Sequence, residues 1–232
     1  MEPASKTEHI PESIGIIMDG NRRWAKANGL PAFEGHRKGY DKIHDLLLWC
    51  KDAGVKHVVV YAFSTENWNR TKEEVGYLMG LFRTGIKKMV SDAKANDTRI
   101  IFLGERSRFE PDIQEALKDA EEATGGGTSL TFGVALSYGG RVEIIDAIHR
   151  IPIDKLATIS EEEFSSLLWS AEIPDPDLII RTSGEERLSN FLPWQSVYSE
   201  LFFTKTLWPD FTQEEFKHIL GKYAERERRR GK

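Results

Sequence analysis

Directly after an apolar run, the chain carries Asp19, Gly20, Asn21, Arg22, Arg23 and Trp24 in succession: one carboxylate, one flexible backbone position and two guanidiniums. Arg grips phosphate bidentately, and Asp can hold a divalent cation. A strand end that passes into a helix start adds free backbone N–H groups and a positive dipole end, the setting where phosphate is most readily held. Two more polar clusters follow apolar runs: Ser64, Glu66, Asn67, Trp68 and Arg70, then Arg181 with Thr182 to Asn190, including Arg187 and Ser189. Each cluster alone reads as a solvated loop. Together they bring Arg22, Arg23, Arg70 and Arg181 close to strand ends, with Arg187 just behind, and such a gathering of cations without an anion would cost repulsion. Two diphosphate groups would account for the number.

For the clusters to meet, the elements between them must form a sheet with its carboxyl ends aligned. Residues 14–18 are predicted as a buried strand and 34–53 as a helix, with Tyr40, Ile43, Leu47 and Cys50 at helical spacing and Gly54 as its stop. Residues 57–62 form a β-branched strand, followed by a polar loop over 63–71. A long helix over 72–95 carries the stripe Val75, Leu78, Phe82, Ile86, Met89 and Ala93. A strand over 99–103 and a proline-led helix over 111–123 come next. Leu130, Phe132, Val134 and Leu136 then alternate with Thr131, Gly133, Ala135 and Ser137, so one strand face is bulky and the other small. The small face is open to two readings, close packing or room for a ligand. A helix with Ile144, Ile145, Ile148 and Ile151, a shorter one over 160–169, and a last strand over 177–180 complete the pattern. The alternation predicts a single α/β domain with a central, largely parallel sheet flanked by helices. The domain is expected over 13–225, between a flexible segment (1–12) and a basic tail (226–232).

Composition bounds the function. The 232 residues carry 40% hydrophobic and 30% charged side chains, with a net charge of −5, so no nucleic-acid-coating surface is indicated. No apolar run approaches the ~20 residues of a membrane helix, and residues 1–8 have no apolar signal region, so a cytoplasmic location is expected. The lone Cys50 permits no internal disulfide and reads as core. No G-x-x-x-x-G-K-[ST] loop occurs, and the glycines at 125–127 lack G-x-G-x-x-G spacing, which argues against nucleotide binding. Asp175 and Asp177 flank Pro176 ahead of their strand, at the wrong end for a site, and are expected to make a turn. The histidines show no metal spacing; His36, near the Asp19 cluster, suits either a phosphate contact or a helix cap.

The segments MDGNRRWA (18–25), Gly35-His36, YAFSTENWNR (61–70), YGGR (138–141), DLIIRTSGEERLSNF (177–191) and WPDF (208–211) resemble, in order and over nearly the whole chain, the motifs of the cis-prenyltransferases, most of all bacterial undecaprenyl diphosphate synthases. No DDxxD pair of the trans-type synthases is present. The resemblance implies a homodimer that condenses an allylic diphosphate, usually farnesyl diphosphate, with successive isopentenyl diphosphates, using Mg2+. It implies a role for Asp19 in holding Mg2+, with Glu200 as the second metal carboxylate. Gly20, Asn21, Arg22, Arg23, His36 and Arg70 match the allylic diphosphate site, and Arg181, Arg187 and Ser189 the isopentenyl diphosphate site. Ser64 and Asn67 match residues that assist proton removal, and Trp24, Glu66 and Trp68 match substrate-positioning residues. Neutral Asn67 is no strong base, so the released diphosphate is expected to share in taking the proton. The growing chain needs an apolar tunnel, for which Ala62, Leu78, Phe82 and Ile86 are candidate walls; the same stripe equally suits an ordinary core helix. A medium- or long-chain product such as undecaprenyl diphosphate, a cell-wall lipid carrier, is expected, with transient contact at the inner membrane face for its release.

Two positions depart from the family pattern. Ala32 stands where many relatives carry Arg, removing one expected diphosphate contact, and Arg229-Arg230-Gly231 resembles an R-x-G ending that in some relatives reaches the partner's site. Three alternatives stay open: a short-chain or irregular prenyl synthase on the same fold, a non-catalytic subunit of a heteromeric prenyltransferase, and a phosphate-binding regulatory module. The second would be expected to have lost Asp19 or the arginines, and both are present.

Overall fold

The computed structural model of the protein describes residues 9–226. Six strands, β1 (Ser13–Ile17), β2 (His57–Ser64), β3 (Thr98–Leu103), β4 (Leu130–Tyr138), β5 (Leu178–Arg181) and β6 (Glu200–Phe203), form one sheet in the order β3-β4-β2-β1-β5-β6. Every neighbouring pair is parallel. The helices are α1 (Asn21–Ala27), α2 (Ala32–Ala53), α3 (Lys72–Ala95), α4 (Pro111–Thr124), α5 (Gly140–His149), α6 (Glu161–Ser165) and α7 (Gln213–Glu225). β1 lies between β2 and β5, so the chain builds outward from it in both directions. The carboxyl ends of β1, β2 and β5 therefore lie side by side where the strand order reverses, the position at which open α/β sheets bind ligands.

Strand alternation splits the core between the two faces. Ile14, Ile16, Val58, Val60, Phe132 and Val134 face α2, α3, α4 and α7, packing on Leu46, Ile86, Leu117 and Phe216. Ile17, Val59, Ala135 and Ile179 face the other way, onto Tyr138, Ile173, Phe191 and Leu192. Each fully buried Leu, Ile or Phe contributes about 1.5–3 kcal/mol to holding these layers together. The small face of β4 is a packing device: a Cβ on Gly133 would come within 2.7 Å of Ile173 and 3.0 Å of Val59, so Ile173 fills the room.

Several boundaries differ from the sequence expectation. β5 is not the last strand, because β6 adds a parallel edge beyond it, four residues being too short for a periodic signal. β2 runs to Ser64 through register shifts around Phe63, and a 3-10 helix over Thr65–Asn69 replaces the polar loop. α5 stops at His149, leaving Ile145 and Ile148 exposed, and α6 spans five residues. Asp177 sits at the strand-start end as expected, its carboxylate accepting the Glu12 N–H at 2.8 Å and so tying β1 to β5. Cys50 is fully buried, and burial pushes its thiol pKa up. Among the described residues, no helix is long and apolar enough to cross a membrane. The 1–12 segment lies mostly, and the Arg229-Arg230-Gly231 tail entirely, outside the described residues.

Candidate active site

Asp19 leaves β1 between two guanidiniums. Arg181, at the end of β5 and only 5% exposed in its side chain, donates from Nη2 to Asp19 Oδ2 at 2.9 Å, and Arg23 Nη2 lies 3.2 Å from Oδ1. Burial acts to raise the Asp19 pKa, but hydrogen bonds from Arg181 and Ser183 and the nearby charges outweigh it and hold the carboxyl below its ordinary value. Arg181 also donates to Ser189 Oγ at 2.8 Å and to the Arg187 carbonyl. Its Nε is buried with no partner. The loop that arranges these groups is strained: Ser183, Ser189 and Asn190 have φ of 81°, 49° and 67°, a conformation that costs non-glycine residues about 1 kcal/mol or more each. Gly20 turns the chain into α1 at φ 114°, with Leu207 so close that a Cβ would meet its Cδ2 at 2.9 Å.

A second cluster centres on Glu74 in the first turn of α3. Its carboxylate meets Arg70 at 3.0 Å, His36 Nε2 at 3.2 Å and Arg22 at 3.6 Å. Glu74 thus offsets the repulsion of gathering these groups. Burial, helped by the Arg70 and Arg22 charges, outweighs the Glu74 hydrogen bond and holds the His36 pKa below its ordinary value.

Two polar pockets open on these clusters. One, of about 450 Å³, is lined by Asp19, Gly20, Asn21, Arg22, Arg23, His36, Arg70, Glu185 and Arg187. The other, of about 540 Å³, is lined by Asp19, Tyr61, Ser64, Glu66, Asn67, Arg70, Arg181, Ser189 and Asn190. Asp19 and Arg70 belong to both walls. From the first pocket, Met18, Asn21 and His36 lead into an apolar cavity between α2, α3 and the sheet, lined by Ala62, Leu78, Phe82, Ile86, Val134 and Leu136 among others. All four candidate tunnel residues therefore face one cavity.

The family model described as "Putative undecaprenyl diphosphate synthase" matches residues 17–231. The chain is 45% identical to an isoprenyl transferase of Thermotoga maritima over 226 residues, covering 96% of this chain and 97% of the relative. It is 46% identical to one of Rhizobium meliloti over 229 residues, 96% and 93% of the two chains. The chain belongs to the undecaprenyl diphosphate synthase family. It is a prenyl transferase. Among solved structures it superposes on lavandulyl diphosphate synthase of Lavandula x intermedia, determined with dimethylallyl diphosphate, with a TM-score of 0.89 and 33% identity over 96% of this chain and 99% of that one. A probable undecaprenyl diphosphate synthase of Campylobacter jejuni matches with a TM-score of 0.82, 33% identity and the same coverage.

Within this family fold the structure gathers most, not all, of the expected residues. Ser64 and Asn67 cap the 3-10 helix reciprocally, with Asn67 Oδ1 accepting the Ser64 N–H at 3.1 Å, so the carbonyl end of Asn67 is already engaged. Glu66 accepts from Asn190 at 3.2 Å; burial acts to raise its pKa, and hydrogen bonds from backbone, Ser64, Asn190 and Thr65 bring it below the ordinary value. Arg187 faces the Asp19–Arg23 pocket, 2.5 Å from Glu185, rather than the pocket of Arg181 and Ser189. The indoles of Trp24 and Trp68 line neither polar pocket: Trp24 donates to Asp210 at 2.7 Å, and Trp68 donates to Ser137 at 2.9 Å while packing on Phe63 and Phe109. Glu200 does not join Asp19 in this chain. It starts β6 opposite Leu178, at the strand-start end of the sheet, and pairs with Arg226.

Glu74 and Glu185 belong to the site without having been assigned in the sequence. The Arg70–Glu74 spacing of four, across the start of α3, was the available signal for Glu74. Glu185, 3.5 Å from Arg23 and beside Arg187, was hidden in a run of charges whose loop geometry has no local signature.

Proposed function

We propose that the protein is a cis-prenyltransferase that condenses isopentenyl diphosphate with an allylic diphosphate, of which farnesyl diphosphate is the expected starter, to a medium- or long-chain polyprenyl diphosphate. The observation that carries this reading is the junction of one cationic pocket with an apolar cavity through Met18, Asn21 and His36, beside a second polar pocket sharing Asp19 and Arg70. A diphosphate with a hydrocarbon tail fits the first pocket, and a diphosphate with a short alkene fits the second. Arg22, Arg23, Arg70 and His36 hold the allylic headgroup, while Arg181 and Ser189 hold that of isopentenyl diphosphate.

Among the described residues, no three His, Cys, Asp or Glu side chains converge on a metal site. Mg2+ is nevertheless suited to one or two carboxylates completed by substrate phosphates and water, and the Asp19 carboxylate between two phosphate-sized pockets fits that habit. When bound, Mg2+ supplies charge neutralisation at the leaving diphosphate. The arginines act on the same charge: as the allylic C–O bond breaks, the electron pair leaves on the diphosphate oxygen, and fixed guanidiniums stabilise it. The terminal alkene carbon (C4) of isopentenyl diphosphate bonds to the allylic carbon, which leaves C3 electron-deficient; a C2 proton is then lost to the departing diphosphate, and its electron pair forms the new C2=C3 double bond. Asn67 is uncharged and capped against Ser64, which supports that assignment.

Pairing of two copies belongs to the same reading. Val142, Ile145, Ile148, Ile153 and Leu156 are exposed, as are Val197, Tyr198 and Leu201 beside the free edge of β6. Gln195 ties that segment to α5 through Glu143 at 3.0 Å, so the two exposed apolar groups sit on neighbouring elements, and we infer that together they receive a second copy. A short-chain or irregular product remains the second reading, favoured by the likeness to lavandulyl diphosphate synthase. The deciding experiment incubates the purified chain with Mg2+, labelled isopentenyl diphosphate and a panel of allylic starters, then sizes the lipid. Incorporation into polyprenyl products is expected; no incorporation with any starter would remove the reading, and a monomer mass in sedimentation would remove the pairing.

A further inference from the structure

The apolar cavity does not run unbroken beneath the sheet. A second narrow cavity continues it toward the strand-start end, near Asn96 and Thr98, and the two share Tyr40, Ile43, Met89 and Phe132 in their walls. At about 60 and 50 Å³ the compartments are far narrower than an ordinary ligand pocket of ~300–1,000 Å³, so an entering hydrocarbon has to part α2 from α3. At the partition Tyr40 Oη on α2 donates to the Gly85 carbonyl on α3 at 2.7 Å; farther along the same seam, His44 on α2 lies 3.4 Å from Asp92 on α3. The fit is close, since a Cβ on Gly85 would come within 2.5 Å of Tyr40 Oη.

Building on the prenyltransferase reading, we propose that Tyr40 is the internal stop that sets product length in this chain, its ring closing the nearer compartment and its hydroxyl latching α2 to α3 across the tunnel. Two costs oppose further elongation at this point. The chain end must displace a bulky ring from a close-packed partition, and the Gly85 carbonyl must give up its side-chain donor inside an apolar passage. Beyond the partition, the far compartment walled by Leu47, Leu48, Ala93 and Phe132 takes more chain once the ring is gone and the entering hydrocarbon parts α2 from α3.

The test sizes products from wild type, Tyr40→Ala, Tyr40→Phe, Ala93→Leu, and the Tyr40→Ala/Ala93→Leu pair, all assayed with the same starter. Tyr40→Ala is expected to lengthen the main product by one or more isoprene units, and Tyr40→Phe, which keeps the ring and loses the latch, to lengthen it less. Ala93→Leu narrows only the far compartment, so it is expected to leave wild-type length unchanged and to reverse the lengthening in the pair. Ala62→Leu, in the nearer compartment, is the reference that shortens products. Unchanged lengths for both Tyr40 variants would overturn the proposal. Should Tyr40→Ala fail to fold in a thermal melt, Tyr40→Phe and Ala93→Leu decide: an unchanged Tyr40→Phe product, or a shortened Ala93→Leu product, overturns it. A wild-type protein that consumes no isopentenyl diphosphate defeats the reading of the reaction instead, which separates the two failures.

Discussion

Replacing Asp19 by Asn is expected to lower prenyl transfer about 10³-fold, the scale on which preorganised charge at a reacting centre acts. Asn keeps the shape and can still accept from Arg181, so the loop after β1 should hold its course. What is lost is the negative charge that both Arg181, at 2.9 Å, and Arg23, at 3.2 Å, are arranged around. Because the charge borders both polar pockets, its loss should fall on turnover rather than on the KM of one substrate. Steady-state incorporation across a Mg2+ titration, with a thermal melt as control, reads this directly. A loss within tenfold at every Mg2+ concentration would show that the Asp19 charge is not central to the reaction, whereas recovery confined to high Mg2+ would assign the loss to the cation site.

Replacing Arg181 by Ala carries the second large effect, and it has two components. Its side chain is 5% exposed and ties β5 to Asp19, Ser189 and the Arg187 carbonyl, so truncation leaves Asp19 short of its main counter-ion and the loop short of its anchor. Breaking such a pair costs about 3 kcal/mol at the lower end of the usual range, fitting for a carboxylate that keeps some solvent contact. The second component is specific to the site: kcat/KM for isopentenyl diphosphate should fall roughly 10²-fold or more, and by a larger factor than that for the allylic substrate. Arg181→Lys separates the two, because it restores charge without the planar fork and is expected to recover stability better than kcat/KM. Denaturant melts alongside substrate-by-substrate kinetics make the comparison. Equal loss for both substrates, recovered fully by Lys, would reduce Arg181 to a structural role.

How much of this was legible in the sequence follows from what each element needs. β1, β2 and β4 are buried on both faces and carry β-branched or bulky runs, so composition alone marks them. With a parallel sheet in hand, the rule that ligands sit beyond carboxyl ends brings Asp19, Ser64 and Arg181 together without any knowledge of side-chain geometry. β6 escaped because four residues at a sheet edge carry no period, and with it went the position of Glu200, which the fold sets at the opposite end of the strands. Glu74 escaped for a different reason: a Glu in the first turn of a helix has a sufficient local explanation in the helix dipole, and its contacts with His36 on α2 and Arg22 on α1 depend on how both helices are set against α3. The positioning role of Trp24 and Trp68 came only from the family resemblance, and what the fold adds is where their indoles bond, Asp210 and Ser137. The small face of β4 was undecidable until Ile173, forty residues on, was seen to fill it.

The most direct measurement asks whether two pyrophosphoryl groups occupy the site at once. Isopentenyl diphosphate is titrated calorimetrically, with Mg2+, into protein already saturated with an unreactive allylic thiodiphosphate. The account predicts that both bind together, one of each per chain. Mutual displacement at a single shared position would contradict it.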